Sequence, residues 1–167
     1  MTSAELLTDA FGRISETVHE AVHGLTESQL AERLDQDANS IAWLLWHLTR
    51  VEDDHVAGAF GVPQVWDEYG KRFELPFGDS STGYGHTSAQ VAQVTASADL
   101  LTGYQDAVHE QAVRLVSGIS DADLDRVVDE AWDPPVTMGV RLVSVISDCL
   151  QHAGQAAFVR GILLRSR

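Results

Sequence analysis

The sequence predicts an all-α fold, a four-helix bundle, from three observations. Apolar residues recur at steps of three and four residues, the helical period, over four long segments. Residues that cap or stop helices stand at the ends of those segments. Amphipathic helices of this length bury their apolar stripes best against one another. The length of 167 residues and the hydrophobic content of 44% fit one domain that spans residues 1–167.

The first two helices have clear start and stop signals. The first is predicted from about Ser3 to Gly24, because glycine commonly ends a helix. Its apolar stripe consists of Leu7, Phe11, Ile14, Val18, Val22 and Leu25. The second begins near Asn39–Ser40, where both side chains are good N-caps, and ends at Gly61 and Pro63.

The third helix is predicted to begin at Thr87 and to end at Gly118. Thr87 and Gln90 have the spacing of a capping box, in which each side chain satisfies a free backbone donor. The segment from Gly61 to His86 before it is long for a connection in a compact bundle. That segment either covers one end of a pocket or packs on the surface through its own aromatic side chains, which are Trp66, Tyr69, Phe73 and Phe77.

The last helix is predicted from about Met138 to Leu164. The prolines of Trp132–Pro135 exclude helix interior before it, because proline lacks the amide donor and clashes with the preceding turn. The acidic segment Asp121–Asp125 adds one helical turn. Cys149 falls in the apolar stripe of the last helix, where a core role is expected because a nucleophilic thiol needs an accessible, electropositive setting.

The charge of the chain excludes two classes of partner. The formal net charge is -14, whereas nucleic acids and anionic membranes require clustered Lys and Arg. No apolar stretch approaches the length of about 18 residues that spans a membrane. A single cysteine and the absence of a recognisable signal peptide indicate a soluble, cytoplasmic protein.

Three polar residues on helical faces stand out as candidate metal ligands. His47 interrupts an almost wholly apolar run on the second helix, and alone it reads more simply as a core histidine with a partner. Asp148 and His152 are four residues apart on the last helix, so both side chains share one face. Together with His47 they form a set of two histidines and one carboxylate, which suits a divalent transition metal.

Other polar residues are expected to lie around this candidate metal site or at the surface. Asp54 lies two turns after His47, a rise of about 10 Å, so it is expected to line the same groove and bind substrate without sharing the ion. Gln155 is expected to orient His152 or to bind substrate. Three further residues of the second helix are expected at the surface or its edge, namely Glu52, Asp53 and His55.

Several motifs resemble one known superfamily. Ser40–Leu48, read Ser-Ile-Ala-Trp-Leu-Leu-Trp-His-Leu, and the following Val51–His55 resemble the second helix of DinB-like proteins. Asp148–Gln155 resembles their last helix. Thr82–Thr87, read Thr-Gly-Tyr-Gly-His-Thr, is similar to the branch that contains mycothiol-dependent S-transferases and maleylpyruvate isomerase-like proteins.

The resemblance implies a bundle with up-down-down-up helix order, which forms a homodimer. It also implies a divalent metal held by three histidines, and His47 and His152 match two of those positions. Asp148 stands where the third histidine is expected. Relatives with an assigned activity are metal-dependent enzymes that use a low-molecular-weight thiol such as mycothiol as co-substrate.

Three hypotheses for function follow. The first is an S-transferase that uses a divalent transition metal (Zn, Ni or Mn) and transfers a thiol of the mycothiol type to a small electrophile. The alternative is a non-catalytic DinB-like bundle that binds a small molecule or a protein partner, which the carboxylate at Asp148 favours. The third is a purely structural polar cluster, in which Asp148 and His152 bond to each other and a backbone carbonyl caps His47.

Overall fold

A computed structural model describes residues 1–165, and four long helices form most of it. They are α1 (Ser3–Val22), α3 (Ile41–Phe60), α6 (Ala98–Val116) and α7 (Met138–Arg165). Shorter elements connect them: α2 (Glu27–Leu30), α4 (Trp66–Phe73), α5 (Ser88–Val91), a 3₁₀ turn (Asp121–Asp125) and the antiparallel strands β1 (Val127–Asp129) and β2 (Val136–Thr137). The predicted all-α bundle is confirmed. The predicted domain also includes residues 166–167, which lie outside the described part.

The four long helices form a ring in which each one packs against two others. Helix α3 packs on α7 and α6, and α1 packs on the same two helices from the opposite side. Helix α1 runs antiparallel to α6, since Thr2 lines a cavity with Ser117 while His19 bonds to Asp106. Helix α7 runs antiparallel to α3, because residues early in α7 meet residues late in α3.

Helices α3 and α6 run parallel to each other. Thr49, early in α3, bonds to Gln105, and Pro63, just after α3, bonds to Gln111 further along α6. The four directions together give the up-down-down-up order that the resemblance implies. Among residues 1–165, no helix is both long and apolar enough to cross a membrane.

Local signals place most of the helix ends. Thr2 caps α1 through a capping box with Glu5. The Ser40 side chain accepts a bond from the Trp43 amide at the start of α3, and Gly61 ends α3 with φ of 69°. The left-handed backbone at Gly61 is unfavourable for other residues, which explains why glycine occupies that position.

The predicted start of the third helix was wrong. The Thr87–Gln90 capping box is present, but it caps only the one-turn helix α5. Ser97 then provides a second N-cap, whose side chain accepts a bond from the Leu100 amide, and α6 begins there. Val94 is buried in the turn between α5 and α6. The apolar residues that suggested one continuous helix therefore belong to two helices and the turn between them.

The hairpin of β1 and β2 was not predicted, and it contains the Trp132–Pro135 segment. That segment was expected to be non-helical, which is confirmed. The hairpin joins the 3₁₀ turn to α7 and brings Asp129 against Arg141 of α7, at 2.6 Å between Oδ2 and Nη2. Cys149 is fully buried, with Sγ 3.4 Å from the Leu48 carbonyl oxygen, which confirms its core position.

Candidate metal centre

Three side chains from two helices converge at the interface of α3 and α7. His47 of α3 and both Asp148 and His152 of α7 offer ligand atoms that all lie within 4.8 Å of one another. His47 is buried, and the other two are partly buried. Because α3 and α7 are antiparallel neighbours, the geometry brings together the three residues that the sequence analysis grouped.

The segment after α4 fixes the ring of His47. His47 Nδ1 lies 2.5 Å from the Thr82 carbonyl oxygen, which can only accept, so Nδ1 carries the proton. Trp43 stacks on the other side of the ring, with centroids 4.6 Å apart. This arrangement leaves Nε2 as the free lone pair, the pattern found when a histidine binds a metal through that nitrogen.

His152 shows the same pattern. Its Nδ1 lies 3.1 Å from the side-chain oxygen of Gln155, and its Nε2 lies 3.6 Å from Asp148 Oδ1. The histidine therefore turns Nε2 toward the carboxylate and toward His47, whose ring centroid is 4.8 Å away. The placement of Gln155 agrees with its expected role in orienting His152.

The electrostatics of the cluster favour a metal. Burial lowers the pKa of His47, against a smaller opposing contribution from the Thr82 carbonyl, so the imidazole is neutral at neutral pH. A neutral imidazole is the form that binds metals. Asp148 Oδ2 is buried and has no hydrogen-bond partner among residues 1–165, which is costly unless a cation or another donor reaches it.

The spacing of the donor atoms would have to contract to hold an ion. In a tetrahedral site with metal–ligand distances of about 2.1 Å, the donor atoms lie about 3.4 Å apart. The three ligand atoms lie within 4.8 Å of one another, so binding an ion requires them to move closer by up to about 1.4 Å. The Asp148 side chain is 41% exposed, so part of the carboxylate faces solvent while Oδ2 is buried.

Arg50 holds the segment that orients His47. This fully buried side chain donates from Nε to the Ser81 carbonyl at 3.1 Å and from Nη2 to the Asp79 carbonyl at 3.4 Å. Thr82, whose carbonyl accepts the hydrogen bond from His47 Nδ1, comes next in the chain. Arg50 thus fixes the backbone that positions His47.

Gly83 allows the segment to approach α3 closely. Its φ is 95°, and a Cβ there would lie 2.8 Å from His47 Nδ1 and 3.0 Å from the Trp46 ring. Only glycine fits this position without moving either neighbour. The 61–86 connection therefore does more than pack on the surface, although Trp66 and Phe73 do anchor it in the core.

The expectation that Glu52 and Asp53 lie at the surface was wrong, since both are buried. Asp53 accepts the Val65 and Trp66 amides at the start of α4 and the Tyr104 hydroxyl at 2.7 Å. Helices α4 and α6 cover this side of α3, which its own sequence does not reveal. His55, in contrast, is half-buried, in line with its expected position at the edge.

A cavity of about 340 Å³ opens beside the cluster. His47 and Asp148 line it together with Asp54, whose Oδ1 accepts a bond from Gln64 at 2.8 Å. Tyr84, 94% exposed, stands at its rim. Gln155 lies on the other side of His152 and faces a separate depression, so the two residues expected to bind substrate do not share one cavity.

Sequence reasoning missed Arg50 and Gly83. A signal for Arg50 existed, because a charged residue inside an apolar helical run requires buried partners. Gly83 belongs to the Thr82–Thr87 motif, but the sequence does not show that this glycine touches His47. Both act on the cluster through contacts between segments that are distant in sequence.

Comparison with known proteins identifies the family. The sequence model described as Mycothiol-S-transferase matches residues 6–164, nearly the whole chain. The chain belongs to the mycothiol S-transferase family. A conserved protein from Enterococcus faecalis has a similar crystal structure, with a TM-score of 0.90, 28% sequence identity and 98% of both chains covered. No curated protein matches the sequence.

Proposed function

We propose that the chain is a divalent-metal-dependent S-transferase that joins mycothiol to a small electrophile. The observation that carries the proposal is the convergence of His47, Asp148 and His152 at the edge of a cavity. Membership of the mycothiol S-transferase family supports the thiol as co-substrate. Zn²⁺, Ni²⁺ and Mn²⁺ all suit two imidazoles and one carboxylate.

The chemistry that a bound divalent ion supplies is a lower pKa for a coordinated thiol, which becomes a thiolate at neutral pH. The side chains that would hold the ion offer two imidazole nitrogens and one carboxylate oxygen. Asp148 offsets only one of the two positive charges of the ion, which favours a second, anionic ligand. The sulfur would then form a bond to an electrophilic carbon, and the proton released by the thiol would go to the displaced leaving group or, on addition to a double bond, to the adjoining atom that takes up the electron pair.

The surrounding residues form the cavity that would bind the reactants. The volume of about 340 Å³ suits the reactive ends of two small molecules. Asp54 lines this cavity and is assigned to substrate binding, whereas Gln155 orients His152 through Nδ1. The segment 79–84 forms the wall opposite α7 and holds His47 in place. A homodimer and a cytoplasmic location stay predictions.

The test compares metal content and thiol transfer in four proteins without affinity tags. These are the wild type and the variants His47→Ala, His152→Ala and His23→Ala. His23 lies exposed at the end of α1, so its variant removes an imidazole away from the cluster. We expect about one metal per chain and mycothiol transfer in the wild type and in His23→Ala, and loss of both in the other two. Metal and transfer retained in His152→Ala would contradict the proposal.

One observation favours the alternative of a non-catalytic bundle. The 3.6 Å contact of Asp148 with His152 is also what a simple helix-surface ion pair gives. If the wild type binds none of Zn²⁺, Ni²⁺ and Mn²⁺, this alternative takes precedence. Binding of a small molecule or a protein partner would then be the function to seek.

A further inference from the structure

Tyr84 is an aromatic side chain that stands almost wholly in solvent at the mouth of the cavity beside the metal cluster. It is 94% exposed, and within residues 1–165 no other side chain forms a hydrogen bond or a ring contact with it. A single exposed aromatic residue is common on protein surfaces, so exposure alone indicates no role. What distinguishes Tyr84 is the backbone that holds it at this position.

Tyr84 occupies the outer corner of a tight turn. The His86 amide donates to the Gly83 carbonyl at 3.1 Å, so Tyr84 and Gly85 are the two central residues of a β-turn. Gly85 has a φ of 75°, close to the value that a type II turn requires at its second central residue. A Cβ on Gly85 would meet no atom within 4 Å, so the backbone conformation alone accounts for glycine there. The turn therefore directs the Tyr84 side chain away from the segment.

Both ends of this turn are fixed to α3. On one side, the Thr82 carbonyl accepts the hydrogen bond from His47 Nδ1. On the other side, His86 Nδ1 accepts a hydrogen bond from Trp43 Nε1 at 3.2 Å. The backbone at Tyr84 is thus held in place, and its side chain can rotate over the cavity without any change in the fold.

The cavity has an apolar patch about one helical turn from the candidate metal ligands. Val51 follows His47 by four residues on α3, and Val145 precedes Asp148 by three residues on α7. Both valines line the cavity, at a rise of about 5–6 Å from the cluster. Tyr84 lines the same space from the connecting segment. A flat group in the cavity would therefore contact the valine methyl groups and the tyrosine ring.

The charges around the cavity disfavour an anionic electrophile. Asp54 and Asp148 line it, whereas no Lys or Arg does among the described residues. Together with a bound thiolate, the two carboxylates exceed the positive charge of a divalent ion, so an anion would be repelled. A flat uncharged group avoids this repulsion, and its contact with Tyr84 removes apolar surface of both from water.

We infer that Tyr84 covers the electrophile in this cavity and selects one that is uncharged and carries an aromatic or conjugated group beside the reacting carbon. The inference rests on the proposed function for the reaction, whereas binding of the flat group depends on Tyr84 and the cavity alone. Tyr84 contacts the part of the substrate beside the reacting carbon and does not touch the sulfur. It therefore determines specificity and takes no part in bond making.

The test compares Tyr84→Ala with Tyr84→Phe, which keeps the ring. Phe158→Ala is the matched control, because Phe158 is an exposed ring on α7 that lines a separate depression. Two electrophiles share one leaving group: 2-chloroacetanilide carries a phenyl ring and 2-chloroacetamide does not. With both, the sulfur bonds to the CH₂ carbon, chloride leaves with the bonding electron pair, and the thiol proton passes to solvent.

The readout is the kcat/KM for each electrophile, with mycothiol as the thiol and Zn²⁺ present. We expect the ratio of kcat/KM for 2-chloroacetanilide to that for 2-chloroacetamide to fall at least about fivefold in Tyr84→Ala, because an aromatic contact adds to the energy of the buried area. The ratio should stay near the wild-type value in Tyr84→Phe and in Phe158→Ala. An unchanged ratio in Tyr84→Ala, or the same loss in Phe158→Ala, would overturn the inference.

An unreactive probe separates this inference from the proposed function. Acetanilide has the ring and the amide of 2-chloroacetanilide but no leaving group, and ligand-detected NMR measures its affinity for each protein with Zn²⁺ present. A loss of at least about fivefold in Tyr84→Ala, with Tyr84→Phe and Phe158→Ala near wild type, would support Tyr84 as the cover even where no thiol transfer occurs. No binding to the wild type, or equal binding to the wild type and Tyr84→Ala, would overturn the inference whatever the transfer activity.

Discussion

Glu52 is a carboxyl group in the core of the bundle, and replacing it with glutamine tests how the fold tolerates it. The side chain has no exposed surface, and burial raises the pKa of its carboxyl to about 8. Gln105 donates to Oε2 at 3.1 Å, while Oε1 is buried with no partner among the described residues. The folded protein therefore holds Glu52 protonated at neutral pH.

The raised pKa of Glu52 sets the sign and the magnitude of its effect on the free energy of unfolding. The unfolded chain releases this proton near the ordinary glutamate pKa of 4.5, whereas the folded state keeps it up to about 8. Between these values the folded state binds more protons, so the free energy of unfolding falls by about 1.4 kcal/mol per pH unit as the pH rises. From pH 5 to pH 7.5 the wild type would lose about 3 kcal/mol through this one group, and above the folded pKa the loss stops.

The assay is urea unfolding followed by tryptophan fluorescence, with chelator present, at half-unit steps from about pH 5 to 8. Glu52→Gln is neutral throughout, so the wild type should lose stability relative to the variant as pH rises, while effects of other groups cancel. At the acid end the variant is expected to be less stable by about 1–3 kcal/mol, because an amide N–H replaces the unpaired oxygen. The two stability profiles should then cross.

A surface variant serves as the control for this prediction, and one result would refute it. Glu110→Gln makes the same substitution on the exposed face of α6 and should keep the slope of the wild type. Parallel profiles for Glu52→Gln and the wild type would refute the reasoning. They would mean that water or a structural change lets Glu52 ionise in the folded state as it does in the unfolded chain.

Three further predictions concern the metal cluster and its support. Gly83→Ala should weaken Zn²⁺ binding at least tenfold in a competition titration, because the added Cβ displaces His47. Gly85 has a similar φ of 75° but open space around it, so Gly85→Ala should keep the wild-type affinity. Equal Zn²⁺ affinities of the two variants would contradict the steric argument. Arg50→Met should lower the free energy of unfolding by about 3–5 kcal/mol in urea, since it removes the positive charge 3.6 Å from the buried Asp53 carboxylate and leaves the Ser81 and Asp79 carbonyls without their donor; a loss below about 1 kcal/mol would be inconsistent with that role. Zn²⁺ at about 100 times its Kd should stabilise the wild type by about 2.7 kcal/mol, seen as a rise in Tm of about 5–10 °C, and should leave His152→Ala unshifted; a rise in both proteins would place the ion elsewhere.

Local signals in the sequence determined where the long helices form and where most of them begin and end. Ser40 and Gly61 bound α3 because capping and left-handed backbone depend on the residue itself and its immediate neighbours. The same local signal misled at Thr87, where a genuine capping box starts a helix of only one turn. Whether a helix continues depends on what covers the next turn, and that is a tertiary property.

The candidate metal cluster likewise depends partly on local sequence and partly on tertiary packing. The spacing of Asp148 and His152 on one helix places them on a common face, and His47 stood out as a polar residue inside an apolar run of another helix. What the sequence by itself could not decide is the packing around them: that the Thr82 carbonyl accepts a hydrogen bond from His47, and that Gly83 lies against the His47 ring. These contacts join residues more than thirty positions apart. They exist only because α3, α7 and the 61–86 connection pack together, and the physical reason is that burial of apolar faces, not local preference, sets which segments meet.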